Sequence, residues 1–179
     1  MLNFCSKKNG FTMVEALVVV TIMGILSSIG VASLRGAVIN GKMKDHAINT
    51  TAFLERIANE ANRLSGPLCV KKYTDQILAV YETDDCSNPP EQFFDSYIID
   101  APAKFGCGDG FATGQDLHGK EWSSEGDVFE PHVGLSAAPA EGFLCVQYVD
   151  EPIYWVAVKA KDKNMIIPMM NLNGVWSRL

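Results

Sequence analysis

Two hydrophobic patterns follow one another along the first third of the chain. From Phe11 to Leu34 the residues are predominantly apolar, broken by one carboxylate, Glu15, and by small polar residues such as Thr21, Ser27 and Ser28. About 24 residues at roughly 1.5 Å each predict a helix of about 36 Å, enough to cross a hydrocarbon core of about 30 Å with some tilt. From Lys42 the pattern changes. Met43, Ala47, Thr51, Leu54, Ile57 or Ala58, Ala61 and Leu64 recur every three or four residues, while Lys44, Asp45, Asn49, Glu55, Arg56, Asn59 and Glu60 occupy other faces. The stripe stops at Ser65-Gly66-Pro67, a helix terminator. Unbroken, Phe11 to Leu64 makes one helix of about 54 residues and about 80 Å.

The remaining residues alternate over short spans, as strands do. Leu68–Tyr73 and Gln76–Thr83 flank Thr74-Asp75 and predict a hairpin, which Asp84 to Pro90 ends. Phe93–Ile99 predicts another strand. Phe143–Val149, Ile153–Lys159 and Met165–Met169, joined by short polar turns, predict an antiparallel meander. The glycine- and proline-bearing region from Ala101 to Glu141 has no assigned elements. The expected class is α+β, with a long N-terminal helix packed on an antiparallel β-sheet.

Charge orients the apolar span. Lys7 and Lys8 precede it and no acidic residue lies in the first ten, so the N-terminus is held in the cytoplasm and the rest is exported. A secretory signal cut near Ser27-Ser28-Ile29-Gly30 is the alternative. The whole chain of 179 residues is 47% hydrophobic with a net charge of −6, which suits a globular domain plus one apolar segment. No long basic cluster is present, so nothing points to nucleic acid.

A carboxylate within a spanning helix costs about 2.5–3.5 kcal/mol, so Glu15 calls for a partner or a place near the interface where it reaches water. Cleavage after Gly10 would supply a partner, the new α-amino group of Phe11 on a neighbouring helix, and such a pair would set axial register between subunits.

Gly10-Phe11-Thr12-Met13-Val14-Glu15, after a basic leader and before the apolar run from Ala16 to Ile29, resembles the class III signal of type IV pilins and of type II secretion pseudopilins. The resemblance implies cleavage after Gly10 by a prepilin peptidase and methylation of Phe11. It places the family's glutamate on Glu15 and its helix glycine on Gly24. Ala32 stands where many members have proline, and Ala16 where many have leucine. Gly24, Gly30, Gly36 and Gly41 remain as points where the helix is weakened, each by up to about 1 kcal/mol relative to alanine.

The resemblance further implies residues 1–10 as a cleaved leader, 11–34 as the transmembrane and assembly helix, 35–66 as an amphipathic spine and 67–179 as an extracytoplasmic β domain. It implies a structural subunit of a type IV pilus, with a pseudopilin as one alternative and an uncleaved membrane-anchored binding protein as another. The implied partners are membrane lipid, the peptidase, an inner-membrane assembly platform, other pilins and further copies in a helical filament. The implied location is the bacterial inner membrane, then a surface pilus or periplasmic pseudopilus.

Once the leader and its Cys5 are removed, Cys69, Cys86, Cys107 and Cys145 remain. An even number in an exported domain predicts two disulfides with three pairings, of which locality favours Cys69–Cys86 and Cys107–Cys145. Zinc binding and buried free thiols are the alternatives. His46, His118 and His132 are dispersed and no catalytic constellation can be drawn, so no enzyme and no cofactor are expected. Asp109, Asp116, Glu121, Glu125 and Asp127 concentrate oxygen ligands in one region. A solvated acidic loop is expected there, with calcium at Asp109, Asp116 and Asp127 as the alternative. Gly106 to Gly110 reads as a turn, and Trp122, Phe129, Trp155 and Trp176 as core or subunit contacts.

Overall fold

The computed structural model of the protein describes residues 12–107, 120–131, 134–135, 142–148, 154–162, 165–172 and 175–179. One helix, α1 (Met13–Leu64), is followed by strands β1 (Leu68–Thr74), β2 (Ile77–Tyr81), β3 (Asp95–Ile98), β4 (Ala103–Phe105) and β5 (Lys120–Glu121). A short helix α2 (Trp122–Glu125) leads to β6 (Asp127–Glu130), β7 (Gly134–Leu135), β8 (Gly142–Tyr148), β9 (Tyr154–Asp162), β10 (Met165–Leu172) and β11 (Val175–Arg178). The class is α+β, with the long helix packed with antiparallel sheets. The chain divides into two compact units, Met1–Ile39 and Asn40–Leu179.

Within the second unit α1 buries the stripe its sequence carries. Met43, Ala47, Thr51, Leu54, Ile57 and Ala61 are buried, joined by Thr50 and Phe53 on the adjoining row, whereas Leu64 at the end of the stripe is exposed. Thr51 turns its hydroxyl back to the Ala47 carbonyl at 2.8 Å, so this buried oxygen donates within the helix. Phe53 stacks on Tyr97 of β3 with centroids 5.0 Å apart, and Arg56 lies over the Phe53 ring while pairing with Asp95 at 2.8 Å. Burial pushes the Tyr97 phenol above its ordinary value, with the Thr50 hydroxyl acting in the opposite sense.

The helix ends in a Schellman arrangement. Gly66 donates its N–H to the Ala61 carbonyl and Ser65 to that of Asn62, both at 3.3 Å. The residue in the left-handed conformation is Ser65, at φ 53°, one position before the glycine.

The strands divide between two sheets. One runs β3-β2-β1-β6-β7, the other β11-β10-β9-β8-β4 with β5 added on β8. Neighbouring strands are antiparallel except β5 and β8, which run parallel. Most of the described elements between Ala101 and Glu141 are very short, and β6 finds its partner in β1 far back along the chain, with Cys69 opposite Val128. α2 rests against β1 and β8, one strand from each sheet, and buries Trp122. β8 is buried along nearly its whole length, as a strand covered on both faces should be.

Two disulfides tie these sheets. Cys69 on β1 bonds Cys86 in the loop after β2, and Cys107 after β4 bonds Cys145 on β8. Of the three pairings this is the local one. Closing loops of 17 and 38 residues limits the unfolded chain by about 3–4 kcal/mol each on the entropy account. Each bond is packed, Cys69 and Cys86 with Ala79, Tyr81 and Val128, and Cys107 and Cys145 with Phe143 and Met169.

Candidate functional site

The first unit has an outward-facing chemistry. Every large apolar side chain from Met13 to Val38 is exposed, from Val19 at 42% to Met13 at 88%. A helix that is apolar all round and exposed requires lipid or other helices as its solvent. α1 is long and apolar enough to cross a membrane. Thr21 and Ser28 donate their hydroxyls to the Leu17 and Ile25 carbonyls, both at 2.8 Å, so neither carries an unmet donor into an apolar setting.

Glu15 sits at the third position of α1 and has a partner in its own chain. The Thr12 backbone N–H donates to Glu15 Oε2 at 3.0 Å, the Thr12 hydroxyl donates to the same oxygen at 3.1 Å, and the Glu15 N–H donates to Thr12 Oγ1 at 3.2 Å. This is a capping box, in which two otherwise unsatisfied donors of the first helical turn are met by each other's residues. The negative carboxylate also lies at the positive end of the helix dipole. Thr12 is the functional residue that charge reasoning passes over, and Thr-x-x-Glu before an apolar run is the spacing that reveals it.

Gly24 lies in open space. A Cβ placed on it, or on Gly30, Gly36 or Gly41, meets nothing within 4 Å, and α1 runs through all four without a break. Gly10 and Phe11 lie outside the described residues, as do Asp109 and Asp116. Asp127 is buried on β6, where its Oδ1 accepts from the Val128 N–H at 2.9 Å, while Glu121 lies on β5 and Glu125 is exposed at the end of α2. Among the described residues no group of three His, Cys, Asp or Glu side chains gathers to hold a metal.

A family model described as the prokaryotic N-terminal methylation motif matches residues 5–31, from the leader through the capping box and most of the apolar run. The chain carries this methylation motif. It is the class III signal of type IV pilins and pseudopilins, and it supports a pilin-like or pseudopilin-like protein anchored in a membrane by its apolar helix. The motif belongs to structural proteins, and it implies processing and assembly with other pilins in general. No curated protein and no solved structure matches the chain.

Proposed function

We propose that the chain is a structural subunit of a type IV pilus. It is made as a membrane-inserted precursor with its N-terminus in the cytoplasm and residues 67–179 outside. It is cleaved after Gly10 and methylated on Phe11 by a prepilin peptidase, then assembled through its N-terminal helix. The observation that carries this reading is the exposure of every large apolar side chain from Met13 to Val38, on the helix that follows the start of the methylation motif. Such a face is at home in lipid before assembly and among like helices after it.

Transfer from lipid to a helical bundle brings little hydrophobic gain, because lipid tails are as apolar as leucine. Specificity therefore has to come from close packing and from polar contacts. Gly24 and Gly30 leave open surface where another backbone can approach, and Ser27 and Ser28 are small enough to lie between them. Once cleavage frees the Phe11 amine, the Glu15 carboxylate has a cation to accept from on a neighbouring chain, and the Thr12 contacts hold it until then.

Intact mass and N-terminal sequencing of protein from sheared fibres, with and without reduction, test the reading. The expected chain begins at N-methylated Phe11 and gains four hydrogens on reduction of its two disulfides. A chain still beginning at Met1, or cut near Ser28, overturns it. A processed chain that stays with the envelope and forms no surface fibre identifies a pseudopilus instead.

A further inference from the structure

The second unit holds a cleft of about 210 Å³ between α1, the turn Asp100–Ala103 and the end of β8. Small-molecule pockets commonly run about 300–1,000 Å³, so this one is the size for a single side chain. Lys42, Asp45, His46 and Asn49 line it from α1, at the three- and four-residue spacing of one helix face, and Asp100 and Tyr148 line it opposite. Among the described residues no hydrogen bond or ion pair joins the side chains of these six, although they share one wall-to-wall space. Two of them are carboxylates. Lys42 sets one cation against the two carboxylates, and burial pushes the His46 imidazole below its ordinary value, outweighing Asp100 and Asp45, so the lining keeps a net negative charge.

The complementary group lies on the apolar helix. Arg35 is the one charged residue between Glu15 and Lys42, and it is exposed, with no ion pair or hydrogen bond among the described residues. Ten residues separate it from Asp45, not three or four, so the two are not neighbours on one helix. When like helices pack, a guanidinium on their surface loses water and needs carboxylates, and its planar fork can donate to two of them.

We propose that Arg35 of one copy enters the Asp45–Asp100 cleft of a second copy, forming a cationic lock between an assembly helix and a neighbouring globular domain. The lock rests on the filament reading. It differs from the helix contacts in acting at the domain level, and it selects a neighbour by charge.

Charge exchange tests it in cells that make fibres. Asp100→Lys and Arg35→Glu, each alone, should lower the yield of sheared fibres by about tenfold or more, and the two together should restore most of it. A double variant no better than the singles, or singles at wild-type yield, overturns the lock. Because Arg35→Glu also alters the helix near the membrane, a second measurement stands beside this one. Differently tagged Arg35→Cys and Asp100→Cys chains are made together and mildly oxidised, and a mixed dimer is sought on a non-reducing gel. A dimer carrying both tags supports the lock, and its absence from fibres that do form overturns it. If the wild-type chain is unprocessed and makes no fibre, the filament reading falls and the lock with it. Wild-type fibres without the 35–100 link remove the lock alone.

Discussion

A Cβ placed on Gly126 falls 3.1 Å from the sulfur of Cys86, 3.1 Å from the Lys71 Cβ and 2.9 Å from the Val70 carbonyl oxygen. Gly126 also has φ of +74°, which L side chains adopt only at a cost. The glycine lets the chain leave α2 and enter β6 pressed against the Cys69–Cys86 bond. Gly126→Ala is therefore expected to destabilise the domain by about 2–4 kcal/mol, from the left-handed backbone and from overpacking against atoms that cannot swing away. Urea unfolding of the oxidised chain in detergent reads this directly, and an unchanged midpoint would contradict it.

Ser65 presents the opposite case. It holds the left-handed position of the Schellman turn without being glycine. Ser65→Gly should stabilise the chain by about 0.5 kcal/mol, the relief of backbone strain exceeding the extra freedom of the unfolded glycine. A rise in thermal midpoint of a degree or two is the expected reading.

Removing the Thr12 hydroxyl leaves the Glu15 N–H without its acceptor. Thr12→Ala should cost about 1 kcal/mol of local helix stability. Amide exchange in micelles should accelerate at the first turn of α1 and remain unchanged in the stripe around Leu54. Uniform acceleration would show that the cap matters to the whole fold instead.

His46 gives the stability a pH dependence of known sign. Its folded value is lowered from 6.5, chiefly by burial, so as pH falls below that value the unfolded chain takes up a proton that the folded chain refuses. Stability from this group is intact above 6.5 and declines as pH falls toward the lower folded value, then levels off. His46→Gln should flatten that part of the curve relative to wild type. Urea midpoints at about pH 7.5 and about pH 5 measure the difference.

The long helix and the hairpin β1–β2 were legible because each is written locally, one in a stripe of three- and four-residue steps, the other in two runs around Thr74 and Asp75. The buried face from Met43 to Ala61 follows the same stripe. Less local features were not legible. β5 and β7 are two residues each, too short for any period, and exist because β8 and β6 offer them an edge. The division into two sheets depends on Val128 lying opposite Cys69, a pairing that no neighbouring residue announces. β11 follows β10 so closely that Val175 to Arg178 gave too little sequence to stand out from the chain end. At the candidate site the carboxylate of Glu15 drew attention as a charge, whereas the Thr12 spacing marks it as a cap as well. The cleft holding Asp45, His46 and Asp100 needed the fold, since α1 and the turn before β4 contribute its two sides.

The four open glycines make α1 its own proximity gauge. Among the described residues a Cβ at position 24, 30, 36 or 41 meets no side chain within 4 Å, so a small spin label fits there without displacing its surroundings. With one label per chain, spin–spin broadening arises between molecules, so the order in which the four sites respond during growth of a fibre records which end of the helix docks first.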